Sequence, residues 1–157
     1  MLRSGHRRAL DHRRMTNRKH VAMTDGSGDL GSGFNERYRL VAEPAMRRAE
    51  IRVIGSDYGA TSYTTRAQAD RLAGLLELGR RKLLLDVGSG TGWPGIYVAR
   101  STGCRVVLTD FPLEGLRIAA RRMQDEGVEG GVVAAFGDSL PLRDHAFDAA
   151  TSSDVLC

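Results

Sequence analysis

The stretch that most limits how this chain can fold is LLLDVGSGTGWPGIYVAR, Leu83 to Arg100. Leu83–Val87 is a near-continuous apolar run, the pattern of a strand buried on both faces of a parallel sheet. Glycines then recur at Gly88, Gly90, Gly92 and Gly95, and Pro94 sits at the start of a short helix expected over Pro94–Ser101. Strand, glycine loop and helix in this order let the backbone turn sharply and approach a ligand with no Cβ in the way. The glycines can be read in two registers. Gly90-Thr91-Gly92-Trp93-Pro94-Gly95 fits the G-x-G-x-x-G dinucleotide fingerprint. Asp86-Val87-Gly88-Ser89-Gly90-Thr91-Gly92 reads D-x-G-x-G-x-G, with a carboxylate inside the strand where a dinucleotide fold has an aliphatic residue.

The rest of the chain alternates at matching spacing. A second buried strand is expected at Val106–Thr109. A helix over Pro112–Glu126 follows, with Leu113, Leu116, Ala120 and Met123 on one side and Gly127 as its stop. A third strand is expected at Val132–Phe136 and a fourth from Phe147 to about Val155. This alternation implies an α/β fold with an open parallel, Rossmann-like sheet, whose ligands sit at the carboxyl ends of the strands. Upstream, a helix starts at Glu43-Pro44 with Met46, Ala49, Val53 and Ile54 on one face. Thr65-x-x-Gln68 is a capping box opening another helix, with Ala69, Leu72 and Leu76 as its stripe and Gly79 as its end.

At 157 residues, 41% of them hydrophobic, the chain suffices for one domain with a core. No apolar run approaches the roughly 20 residues of a membrane helix. Cys104 and Cys157 form no metal-type or disulfide pattern, so a cytoplasmic protein with reduced thiols and no membrane partner is expected. The net charge of +4 is carried by the N-terminus. Residues 1–20 hold seven Arg/Lys against Asp11, a local +6, which leaves the remainder at −2. That tail lacks the aromatic interleaving of a nucleic-acid binder, so no nucleic-acid partner is expected. Residues 1–33 read as a disordered basic tail and a Gly/Ser linker, 34–79 as an N-terminal helical lid, and 80–157 as the ligand-binding domain.

Three acids carry the chemistry. Asp110 lies 20 residues after Gly90, at the end of the second strand, where a carboxylate accepts from both hydroxyls of a ribose. It serves either register. Asp86 separates them, because a pyrophosphate would be repelled there while S-adenosylmethionine (SAM) brings an ammonium and a sulfonium. Its alternative role is to cap and order its own loop. Asp138 closes the third strand, placed to accept from the exocyclic amine of an adenine.

LLLDVGSGTG, VVLTDFP, FGDSLPLRDHAFDAA and TSSDVLC resemble the corresponding segments of class I SAM-dependent methyltransferases, most closely the small-molecule type related to quinone biosynthesis. The resemblance implies SAM as cofactor and a small-molecule methyl acceptor as partner. It places Gly88, Ser89, Gly90 and Gly92 along the methionine portion, Asp110 and Phe111 at the ribose, and Asp138 and Ser139 at the adenine. Ser152, between Thr151 and Ser153, would stand beside the reacting methyl, and Tyr58 and Tyr63 would belong to the lid. The resemblance implies no metal and assigns no catalytic base. His6, His12 and His20 lie in the tail, and His145 is expected in solvent. In this family three more strands follow the fourth, in the order 3-2-1-4-5-7-6. Here the expectation is a truncated sheet of order 3-2-1-4, an impaired transferase, and self-association through the open edge of strand four. A non-catalytic SAM-binding remnant and a NAD-binding oxidoreductase are the competing readings.

Overall fold

The computed structural model describes residues 27–41 and 43–155. The expectations for residues 1–26 and for Cys157 fall outside that span. Four parallel strands form one sheet in the order β3-β2-β1-β4. They are β1 (Leu83–Val87), β2 (Arg105–Asp110), β3 (Gly130–Ala134) and β4 (Ala149–Ser152). β1 is central, with Leu84 registered against Val106 on one side and Ala149 on the other. α4 (Gly95–Thr102) and α5 (Leu113–Asp125) are the crossovers, and α1 (Ser27–Leu40), α2 (Pro44–Val53) and α3 (Arg66–Leu75) precede the sheet.

The core forms where α4 and α5 cover the sheet, with α3 packed on α4. Leu84, Val106, Leu108, Ile96 and Val98 are completely buried, each worth about 1.5–3 kcal/mol relative to exposure. α3 is set by its capping box: Thr65 Oγ1 accepts from the Gln68 N–H, and the Gln68 side chain accepts from the Thr65 N–H. The helix stops at Leu76, with Glu77 taking the left-handed turn at φ 47°, two residues before the expected Gly79.

Four sequence expectations are corrected. Residues 27–33, expected as linker, are the first half of α1. Glycine and serine disfavour a helix there, but the helix end is docked by Tyr38, with Val41 buried just beyond it, and tertiary packing overrides propensity. The expected apolar face of α2 is not covered: Met46 and Val53 are exposed and only Ile54, past its end, is buried. On α5 the buried stripe is Gly115, Leu116, Ala119 and Met123, while Leu113 is exposed. β3 begins two residues early. Val106 registers against Gly130, and a Cβ at Gly130 would collide with the Val106 carbonyl. The glycine that lowers strand propensity is what this close approach requires.

Candidate cofactor site

The carboxyl ends of the strands open into one cavity of about 340 Å³. Its floor is the loop after β1, which is fastened to the end of β2 before any ligand arrives. Gly88 and Ser89 donate their N–H groups to the Thr109 carbonyl at 2.7 and 3.0 Å, and the Gly90 N–H donates to Asp110 Oδ2 at 2.6 Å. Gly88 and Gly90 hold φ of 73° and 53°, which most side chains resist. There is also no room for one: a Cβ on Gly88 would collide with Val155, and one on Gly90 would press on the Tyr38 hydroxyl. Gly92 turns away from the cavity and packs on Ile96 of α4.

Asp110 ends β2 in the cavity wall. Its second oxygen accepts from the Phe111 N–H at 2.7 Å, and burial raises its pKa against the help of these two N–H donors. Each oxygen keeps a free lone pair, enough for a diol. Phe111 lies beside it, stacked on Phe136 with centroids 4.0 Å apart and planes 19° from parallel. Ser89 also lines the cavity, and its Oγ is buried without a partner among the described residues.

Asp86 is behind the floor, not in the cavity. It is wholly buried, accepts from Thr151 Oγ1 at 2.9 Å, and turns Oδ2 toward Gly95, the first residue of α4. The Gly95 N–H lowers its pKa somewhat without a well-formed hydrogen bond to Oδ2. Loss of water is the larger effect and pushes the carboxyl up to about 7. The acid therefore braces β1, β4 and α4 against one another, the loop-ordering role left open by the sequence.

Other expected site residues are placed elsewhere. Asp138 and Ser139 are exposed outside the cavity wall, because β3 ends early and Ala135, Phe136 and Gly137 occupy the rim. Ser152 is exposed and outside the wall, where Ser153, Asp154 and Val155 stand instead. Tyr58 packs in the core against Trp93 and under Arg122, its hydroxyl donating to Glu126. Tyr63 is 81% exposed. The aromatic that covers the floor is Tyr38 of α1. It is 3% exposed, lines the cavity, and lies between Gly90 and Gly115, where its burial and the charge of Asp110 raise its pKa. The missed signal was the run Asn35-Glu36-Arg37-Tyr38-Arg39, which is helical in character once separated from the glycines before it.

The loop before α3 closes the opposite side. Asp154 Oδ2 accepts from Ser62 Oγ at 2.6 Å and from the Tyr63 N–H at 2.9 Å, and the Thr64 and Ser153 hydroxyls are hydrogen-bonded. No lysine, arginine or histidine lines the cavity among the described residues. Nor do those residues contain a His/Cys/Asp/Glu group that could hold a metal, and His145 is exposed. None of their helices is long and apolar enough to cross a membrane.

Residues 84–157 match a methyltransferase domain family. The chain is 37% identical over 67 residues to the methyltransferase GfsG of Streptomyces halstedii, covering 41% of this chain and 24% of that protein. It is 38% identical over 71 residues to the demethylmenaquinone methyltransferase of Thermus thermophilus, covering 45% of this chain and 32% of that one. The chain thus spans about a quarter to a third of the length of these relatives. In fold it is similar to a SAM-dependent methyltransferase of Geobacter sulfurreducens crystallised with S-adenosylhomocysteine. The TM-score is 0.54 at 20% identity, over 66% of this chain and 42% of that one.

Proposed function

We propose that residues 84–157, which match a methyltransferase domain family, are of the class I, SAM-dependent kind, and that the chain binds SAM in the cavity over β1 and β2 and serves methyl transfer to a small-molecule acceptor. The observation that carries this over a dinucleotide is Asp86. In a nicotinamide enzyme the pyrophosphate rests on the N-terminus of the helix after the glycine loop. Here a buried carboxyl is already turned to Gly95, at that terminus of α4. That helix end is already filled by the Asp86 side chain and does not open onto the cavity, so a pyrophosphate would find no helix terminus to rest on, while SAM needs none.

Asp110 would accept from the ribose hydroxyls. The Phe111–Phe136 pair and Gly137 would take the adenine, and Gly88, Ser89 and Gly90 the methionine portion. Bound there, SAM supplies a methyl group on a sulfonium, already activated toward a nucleophile. The protein's task is then orientation and exclusion of water, for which Tyr38 and the Ser62–Asp154 closure are suited. No general base is assigned. A cytoplasmic location fits the buried Cys104 thiol, unpaired among the described residues. β4 pairs on one side only among the described residues, and its other edge would accept a strand from a second copy. Calorimetric titration with SAM, S-adenosylhomocysteine and NAD tests the reading. Binding of the first two without NAD is expected, and tighter binding of NAD would overturn it.

A further inference from the structure

β2 and β4 are the two neighbours of β1, so their ends lie about 10 Å apart across the glycine loop at the usual strand spacing. Each end carries a carboxylate in the cavity wall, Asp110 at one and Asp154 at the other. No basic side chain lies between them among the described residues. If the adenosine end of the ligand is held at Asp110, the amino-acid end must run across Gly88–Gly90 toward β4. The segment after β4 crosses closely there, since Val155 packs on the Gly88 Cα.

Asp154 is built for more than fastening a loop. Ser62 and Tyr63 both donate to Oδ2, which leaves Oδ1 free of either bond. These donors, with a smaller contribution from the Thr64 N–H, hold its pKa below the ordinary carboxylate range, so the group is ionised near neutral pH. Its backbone is left-handed at φ 58°, a conformation that a non-glycine residue keeps only where its surroundings hold it.

We propose that Asp154 is a specificity residue for the α-ammonium of SAM's zwitterionic amino-acid end: Oδ2 fastens the Ser62–Thr64 loop over the cavity while Oδ1 receives that ammonium. The proposal rests on the SAM reading above. It makes one carboxylate both the lid catch and the charge reader, so the loop is held in place by the same group that senses the ligand.

Asp154→Asn isolates the charge. Asparagine has the same shape, tolerates a left-handed backbone, and still accepts from Ser62 and Tyr63 through its carbonyl. The full chain and the variant are titrated with SAM, S-adenosylhomocysteine and 5′-methylthioadenosine, which lacks the amino-acid end. Affinity for the first two is expected to fall about five- to twentyfold, the loss of a charge-assisted bond. Methylthioadenosine binding is expected to stay within about twofold, and the difference should shrink in ~1 M salt. Equal losses for all three ligands would make Asp154 merely structural, and no loss for any would remove it from the site. Either result overturns the assignment while SAM binding stands. A wild-type chain that binds none of the three overturns the SAM reading with it.

Discussion

Replacing Asp86 with asparagine should change how the protein's stability depends on pH, in a direction that burial dictates. The folded carboxyl is pushed up to about 7, first by loss of water and then by the charge of Asp110, against an ordinary value of 3.8. Between those two values the unfolded chain holds Asp86 ionised and the folded chain holds it protonated. The folded state therefore binds more protons, and stability falls as pH rises through this window, levelling off above about 7. At 1.36 kcal/mol per unit, the interval corresponds to roughly 4 kcal/mol. Asparagine does not titrate. It keeps an acceptor for Thr151 but turns an NH2 toward the Gly95 N–H, a fixed penalty of about 1–3 kcal/mol. Urea unfolding of both proteins from pH 4 to 8 gives the difference curve. The carboxylates with lowered pKa, Asp57, Asp148 and Asp154, are common to both and cancel. The variant is expected to gain on wild type by roughly 4 kcal/mol across the range, whatever the offset. Parallel stability curves would refute the claim that Asp86 is a dry, proton-bearing brace under the loop.

Asp110→Ala should weaken SAM about 10- to 100-fold by removing a charged acceptor from the ribose. Unchanged affinity by calorimetry would place the ribose elsewhere. Tyr38→Ala should cost about 3–4 kcal/mol, as for other large buried aromatics, and raise hydrogen exchange across residues 34–41. Unaltered exchange there would show that α1 is held by something other than this ring.

What the sequence made legible follows the strength of the local signal. β1 was readable to the residue because an apolar run bounded by glycine has few alternatives, and the parallel sheet followed from strand–helix alternation, whereas the order β3-β2-β1-β4 was implied by the resemblance to methyltransferases. Asp110 was readable because a strand end is a fixed distance from the loop it faces. β3 was misplaced because Gly130 and Gly131 resemble loop, although their small size is what lets the strand approach β2. That two-residue shift also leaves Asp138 outside the cavity wall, with Phe136 and Gly137 on its rim. α1 was hidden because SGDLGSGF has the composition of a linker, and the long-range docking of Tyr38 against Gly90 and Gly115 and of Val41 beside Gly59 ties the following residues down. The resemblance alone puts Tyr58 and Tyr63 in the lid. Nothing local shows that Tyr58 faces the core, Tyr63 faces solvent, and Asp154 closes the gap between them.

The central claim is that the floor formed by Gly88, Ser89 and Gly90 and the carboxylate of Asp110 receive a SAM-type ligand in the D-x-G-x-G-x-G register. A crystal structure of the chain grown with S-adenosylhomocysteine tests it most directly. The ribose hydroxyls should lie on Asp110 and the amino-acid portion over Gly88–Gly90, with Asp86 still buried beneath Gly95. The account would be contradicted by a ligand seated away from this floor, or by NAD occupying the site with its pyrophosphate on the N-terminus of α4.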